Sequence, residues 1–176
     1  MLAGILKPSS GKITAHGRIG YVPQGTALLE DATVEENLNF FASLAKASVP
    51  RELPFSVESY KKKLVSTLSG GMKKQVSIAC AAIGDPQIML LDEPCAALDI
   101  TFRDEMIRLV EKWKREGKTV IYVGHDPAEF YSFFNTLVFI APTPLICKKE
   151  ALQDTNKGLE EFTKFYKANL ENLKRK

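Results

Sequence analysis

The sequence predicts an α/β fold in which helices flank a mostly parallel sheet. Two runs, Ile88–Leu91 and Thr119–Val123, are apolar at nearly every consecutive position, as is typical of strands buried on both faces of a sheet. Between them, Met106, Val110 and Trp113 recur at helical spacing. Strands that alternate with helices form βαβ units, whose strands pair in parallel.

Composition places the chain among globular proteins. Its 176 residues can bury the core of one domain, and 45% hydrophobic and 26% charged residues lie close to globular averages. These values exclude the disordered and fibrous classes. A net charge of +3 is too small to indicate binding to a nucleic-acid backbone, so we expect no nucleic-acid partner.

Cysteine usage and hydropathy indicate the kind of cellular compartment in which the chain is expected. Cys80, Cys95 and Cys147 are odd in number and lack CxxC spacing, so the sequence predicts neither a disulfide framework nor a zinc site. This pattern is typical of a reducing compartment. No run approaches the roughly 20 apolar residues of a membrane-spanning helix, and no basic segment precedes the apolar start of the chain, as one would in a signal peptide.

The first half of the chain is predicted to begin with the last turns of a helix, residues 1–8, which Gly11 follows. Gly17–Val22 is β-prone and runs into a Pro-Gln-Gly loop, which indicates a strand that ends there. Thr33 can cap a helix whose first turn is acidic, and a second helical region is predicted around residues 57–63.

The second half is predicted to add a buried strand and a turn over Leu137–Cys147, which two prolines interrupt. From Lys148 the chain becomes polar and helical. Its apolar residues share one helix face: Leu159, Phe162, Tyr166, Leu170 and Leu173. Such a stripe can pack on a core or join a dimer, and packing on a core is the commoner outcome.

Two short patterns indicate chemistry. Asp92 and Glu93 end a buried strand, where open α/β sheets place ligands, and carboxylates there can hold Mg²⁺ or activate a water. Ser69-Gly70-Gly71 begins a helix, whose N–H groups and dipole can bind an anion. Each has an ordinary alternative, since acids often end strands and serine is a common N-cap.

Five motifs in the same order resemble the nucleotide-binding domain of ATP-binding cassette (ABC) proteins. Tyr21–Gln24 is similar to the Q-loop, Leu68–Met72 to the signature motif and Ile88–Glu93 to Walker B. Ala96–Asp99 is similar to the D-loop, and His125 to the switch histidine. The resemblance covers roughly residues 1–140 and implies a sheet of the P-loop NTPase type, with a small helical insert over residues 25–84 that carries the signature motif.

The resemblance implies ATP and Mg²⁺ as cofactors, and it assigns a role to each motif. Glu93 would polarise the hydrolytic water, His125 would contact the γ-phosphate, and Gln24 would approach both Mg²⁺ and the water. Asp92 would hold Mg²⁺ through water. Phosphoryl transfer requires positioning and charge compensation of this kind.

The signature motif would act across a dimer interface. In the family, two domains sandwich two nucleotides head to tail, so Ser69, Gly70, Gly71 and Met72 would bind the ATP held by the opposite subunit. Asp99 would cross the same interface. We therefore expect a homo- or heterodimer with another ABC ATPase domain.

The phosphate-binding P-loop of the family, G-x-x-x-x-G-K-[ST], is missing from the printed sequence. Ser10-Gly11-Lys12 fails the pattern, because Leu6 stands where the first glycine should be and Ile13 replaces the Ser or Thr. Residues 1–11 instead resemble the stretch that follows a P-loop. We expect an N-terminally truncated domain over residues 1–140, without its first strands, and a helical tail over 141–176.

These observations favour the ATP-binding and ATP-hydrolysing subunit of an ABC transporter, at the cytoplasmic face of a membrane through separate transmembrane subunits. The alternative is an inactive, P-loop-less interaction module that lends its signature motif to an intact partner. An ABC ATPase of DNA repair or of the ribosome fits less well, because repair members insert long coiled coils between Gln24 and Ser69, and ribosomal members carry two cassettes. Without the P-loop, the chain alone is expected to be inactive. The transported substrate, the direction of transport and the origin of the missing P-loop, natural or an artefact of the start site, stay open.

Overall fold

The computed structural model describes residues 2–95, 100–131, 133–140, 145–148 and 159–174. The strands are β1 (Ile19–Val22), β2 (Ile88–Asp92), β3 (Thr119–Val123), β4 (Thr136–Phe139) and β5 (Leu145–Lys148). The α-helices are α1 (Val34–Ala45), α2 (Gly70–Ala82), α3 (Ile100–Arg115), α4 (Pro127–Phe130) and α5 (Leu159–Lys174). Two 3₁₀ segments span Pro54–Tyr60 and Val65–Thr67. The chain divides into two compact units, Met1–Val123 and Gly124–Lys176, while the predicted limits at 140 and 141 stay a prediction.

The first unit is built on a parallel sheet with the order β1-β2-β3. Ile19 pairs with Ile88, and Asp92 pairs with Val123, so β2 lies in the middle with its carboxyl end beside that of β3. This arrangement confirms the predicted α/β class. The predicted burial of β3 is wrong, since Thr119 and Val123 are exposed and the strand pairs, among the described strands, on one side only.

Gly20 is required by close packing between β1 and α2. A Cβ added at Gly20 would lie 2.4 Å from the carbonyl oxygen of Ala81 and 2.8 Å from the sulfur of Met89. The lack of a side chain therefore lets the last turn of helix α2 approach the strand.

A helical subcore lies between β1 and β2 in sequence. Helix α1 begins with a capping box, in which Thr33 accepts from the backbone of Glu36 while the Glu36 carboxylate accepts from the backbone of Thr33. Its apolar face packs with α2 around fully buried valines: Val34, Val57, Val65 and Val76. The helical region predicted around 57–63 is instead a 3₁₀ segment that starts at Pro54, because left-handed backbone at Phe55 and Ser56 interrupts the α-helical hydrogen bonding.

The predicted N-terminal helix end is wrong. The described residues 2–18 form turns and bends, and Gly4 and Gly11 adopt positive φ angles of 78° and 74°. Ile5 and Leu6 are 72% and 67% exposed. A short segment without a packing partner does not recover the cost of helix nucleation.

The second unit contains α4, an antiparallel β4–β5 hairpin and α5. Leu137–Cys147 was expected to form a buried strand and a turn. The expected burial is wrong, since the segment contributes to two paired strands on which Val138 and Ile146 are exposed. The predicted helix α5 is confirmed over 159–174, where Phe162 and Tyr166 are buried against Phe134 and Phe139 with ring centroids 5.1 and 5.4 Å apart. None of the described helices has both the length and the apolar content that a membrane crossing requires.

Candidate functional site

Two of the predicted catalytic residues lie in direct contact at the carboxyl edge of the sheet. The side-chain amide of Gln24 donates a hydrogen bond to a carboxylate oxygen of Glu93, with 2.9 Å between Nε2 and Oε2. Gln24 follows β1 and Glu93 follows β2, and the parallel pairing of Val22 with Leu91 brings the two strand ends together. The contact joins residues from two separate motifs.

The backbone of Glu93 is unusual. Its φ is +45°, in the left-handed region that residues other than glycine seldom adopt. Its N–H donates to the carbonyl oxygen of Val123 at 2.9 Å, which extends the pairing of β2 with β3 by one bond. Strained backbone held by its surroundings is frequent at functional sites, and the side chain of this residue is the one that accepts from Gln24.

The signature segment begins helix α2 as predicted. Ser69 is the N-cap, and its hydroxyl oxygen accepts from the backbone N–H of Met72 at 3.3 Å. Ser69 and Gly70 are exposed, and a Cβ added at Gly70 would meet nothing within 4 Å. Met72 packs against the helical subcore. The helix N-terminus is thus open to an anion at Ser69 and Gly70, while the role of Met72 in ligand binding stays a prediction.

Lys74, which no sequence pattern singles out, connects α2 to the segment of Gln24. Its ammonium donates to the carbonyl oxygens of Pro23, Gln24 and Gly25 at 2.9, 2.7 and 3.2 Å. The residue is 7% exposed, although lysine is ordinarily a surface residue. Burial lowers the pKa of the Lys74 ammonium, and the carboxylates of Asp92 and Glu93 oppose that shift.

Two other predicted site residues, Asp92 and His125, take no part in the hydrogen bond between Gln24 and Glu93. Asp92 ends β2 and is half-buried beside Glu93. His125 is exposed in the second unit, two residues after β3. Asp99 and the other residues of the predicted D-loop, 96–98, lie outside the described residues. The structure therefore brings together Gln24, Glu93 and the start of α2, within the first unit.

The oxygen atoms at this edge suit a hard cation that also binds phosphate. Within the described ranges, no cluster of three His, Cys, Asp or Glu side chains could hold a metal ion by itself. Mg²⁺ commonly takes only one or two carboxylates and completes its shell with water and phosphate oxygens. Asp92 and Gln24 can supply such oxygens, because the Gln24 amide nitrogen is the atom bonded to Glu93.

Sequence comparisons agree with the motifs. The family model described as ABC transporter matches residues 1–96. A taurine import ATP-binding protein, TauB of Jannaschia sp., is 34% identical over 96% of this chain and 70% of its own length. YbhF of Escherichia coli, an ABC transporter ATP-binding protein, is 37% identical over 69% of this chain and 25% of its own length. The chain thus spans only part of these relatives.

Solved structures share the fold. A metal-chelate type ABC transporter in an inward-facing conformation matches 86% of this chain and 68% of its own, with a TM-score of 0.70 at 24% identity. A dimeric ATP-binding cassette in a post-hydrolysis state, bound to ADP and Pi, matches 69% of this chain and 57% of its own, with a TM-score of 0.54 at 26% identity. The chain therefore shares its α/β fold, a parallel sheet with flanking helices, with these neighbours.

Proposed function

The chain belongs to the ABC transporter family, and from this membership we propose that it is the ATP-hydrolysing part of a transporter, which powers substrate movement through separate membrane subunits. The hydrogen bond between Gln24 and Glu93 is the observation that carries the proposal. It joins the two motifs that must act on the same water molecule if this chain hydrolyses ATP.

Glu93 is the proposed general base. A carboxylate at the end of a central parallel strand faces the crevice in which α/β proteins bind ligands. The Gln24 amide donates to that carboxylate and so fixes its orientation, and an oriented carboxylate can accept a proton from a water. Gln24 thereby positions the base, and its loop position lets it respond to a bound nucleotide.

Asp92 and Gln24 are the residues that would hold Mg²⁺. When bound, the ion would neutralise charge on the phosphate oxygens during phosphoryl transfer. Asp92 is half-buried and paired in register with Val123, so its position is set by the sheet rather than by a loop. His125, by its place after β3, is proposed to contact the γ-phosphate.

The N-terminus of α2 is proposed to bind the nucleotide of a partner domain. Ser69 and Gly70 are exposed, and the N–H groups of a helix's first turn attract phosphate. Asp99 is proposed to contact the same partner. The dimeric cassette among the structural neighbours supports a dimer, and the transport names of the relatives support membrane subunits as further partners on the cytoplasmic side.

ATP turnover tests the proposal. We would join the P-loop segment of the taurine import relative ahead of residue 1 and measure phosphate release with and without Mg²⁺. Magnesium-dependent release that Glu93→Gln abolishes is expected. Turnover that persists in Glu93→Gln would remove Glu93 from its role, and absence of both turnover and ATP binding in the joined protein would contradict the proposed function.

A further inference from the structure

We propose that Lys74 is a positioning residue that holds Gln24 against Glu93, an inference that rests on the proposed function of this edge of the sheet. Lys74 belongs to the first turns of α2, five residues after Ser69, whereas Gln24 belongs to the loop after β1. The lysine therefore connects two parts of the site. One is helix α2, which would contact the nucleotide of a partner domain, and the other is the loop after β1, which would act on the nucleotide bound to this chain.

The contacts of Lys74 use the whole donor capacity of its ammonium. Three N–H bonds are available on a lysine, and three consecutive carbonyl oxygens, those of Pro23, Gln24 and Gly25, lie within 3.2 Å of Nζ. The shortest distance, 2.7 Å, is to Gln24 itself. Hydrogen bonds from a charged donor are stronger than neutral ones, so this cluster fixes the backbone of the loop.

The loop has little packing of its own at this point. Gln24 and Gly25 are exposed, and a Cβ added at Gly25 would meet nothing within 4 Å. Lys74, at 7% exposure, is the buried member of the contact. Because the position of the Gln24 side chain follows from its backbone, the lysine determines whether the amide reaches Glu93.

The charge of Lys74 has a second effect on the same site. Its ammonium interacts with the carboxylates of Asp92 and Glu93, which raises its pKa against the effect of burial. The ammonium thereby balances negative charge at the edge of the sheet where the two carboxylates lie. An apolar replacement removes both this charge and the three hydrogen bonds.

Lys73 provides a matched control. It is the neighbouring residue on α2, but its ammonium pairs with Glu30, with 2.6 Å between Nζ and Oε2, and the Glu30 side chain is 47% exposed. Exposed ion pairs of this kind contribute little to stability. Lys73→Met therefore removes an equal charge from the same helix without touching residues 23–25.

The test reads the Gln24 amide directly, without nucleotide. The ¹⁵N–¹H resonances of the Gln24 side chain, identified by their loss in Gln24→Ala, are compared in Lys74→Met, Lys74→Arg, Lys73→Met and Glu93→Ala. We expect Lys74→Met and Glu93→Ala to move these resonances in the same direction, while Lys73→Met leaves them in place and Lys74→Arg restores most of the original position. Unmoved Gln24 resonances in folded Lys74→Met, or in folded Lys74→Gln, overturn the inference.

Turnover of the P-loop-joined protein gives the second readout. Misplacement of a catalytic group by about 1 Å can cost about 100-fold in rate, so we expect Lys74→Met to lower kcat by about that factor. KM for ATP should not change, because Lys74 contacts the loop rather than the ligand. An unchanged kcat overturns the inference. Failure of the unsubstituted protein to hydrolyse ATP would count against the proposed function alone, since the amide resonances still report where Gln24 lies.

Discussion

Gln24 and Glu93 lie 69 positions apart in the chain and share a hydrogen bond of 2.9 Å. The contact arises because β1 and β2 pair in parallel, which places the residues that follow both strands at one edge. An amide that donates to a carboxylate fixes the orientation of that carboxylate. The arrangement is therefore suited to a base, and it makes the first prediction specific.

Replacement of Glu93 by glutamine should abolish turnover while the fold is kept. The new amide oxygen can still accept from Gln24, but the amide cannot take a proton from water. We expect hydrolysis by the P-loop-joined protein to fall by about 100- to 10,000-fold, the range of general-base contributions. Phosphate release tests the loss of turnover, and urea unfolding of the same samples tests whether the fold is kept. Glu52→Gln, at an exposed position, is the control and should change neither quantity.

Gly20→Ala should destabilise the first unit. The added Cβ would lie 2.4 Å from the backbone oxygen of Ala81, which cannot move without shifting α2. Overpacking of this kind typically costs about 1–3 kcal/mol, so the midpoint of urea unfolding should fall. Gly25→Ala is the control, because its Cβ meets nothing within 4 Å. Equal midpoints for Gly20→Ala and the unsubstituted chain would show that β1 and α2 are not packed as described.

The parts of the fold that local chemistry specifies could be predicted. Thr33 and Ser69 are N-caps in the structure, because a short side-chain oxygen before a helix satisfies an N–H whatever surrounds it. The apolar run of β2 required burial on both faces, and that condition places it between two parallel strands.

The features that depend on distant neighbours could not be predicted. The sequence does not indicate that Lys74 is buried, since the three carbonyl oxygens that accept from its ammonium belong to residues about 50 positions earlier in the chain. The left-handed backbone of Glu93, whose N–H donates to Val123, has no local marker such as glycine. The N-terminal residues keep a helix-like pattern without the packing that a helix needs.

Acidification should weaken helix α1 through Glu36. Hydrogen bonds from the backbone and side chain of Thr33 hold the pKa of the Glu36 carboxyl below its usual value of 4.5. A carboxyl with a lowered pKa stabilises the folded state at pH values above its unfolded pKa, and this contribution is lost as pH falls through the folded pKa. Urea midpoints followed from neutral pH to below pH 4.5 should therefore decline less steeply in Glu36→Gln than in the unsubstituted chain. Parallel declines would remove Glu36 from the acid transition.

The last prediction concerns the exposed start of α2, where the effect of a substitution on the fold can be separated from its effect on a partner. Gly70 has open space around its missing Cβ, and alanine is the better helix former, so Gly70→Ala should keep or raise the stability of the chain alone. If Ser69 and Gly70 bind a phosphate held by a second domain, the added methyl and the larger Ser69→Arg side chain should both weaken ATP-driven dimerisation of the P-loop-joined protein. Binding of ATP to the monomer should persist, because this helix end would contact only the partner's nucleotide.

Light scattering with ATP in the Glu93→Gln background, which prevents hydrolysis, gives the dimer fraction, and calorimetry gives monomer binding. Dimers that form equally well in both variants would show that the N-terminus of α2 does not face a partner's nucleotide, whatever the role of Gln24 and Glu93.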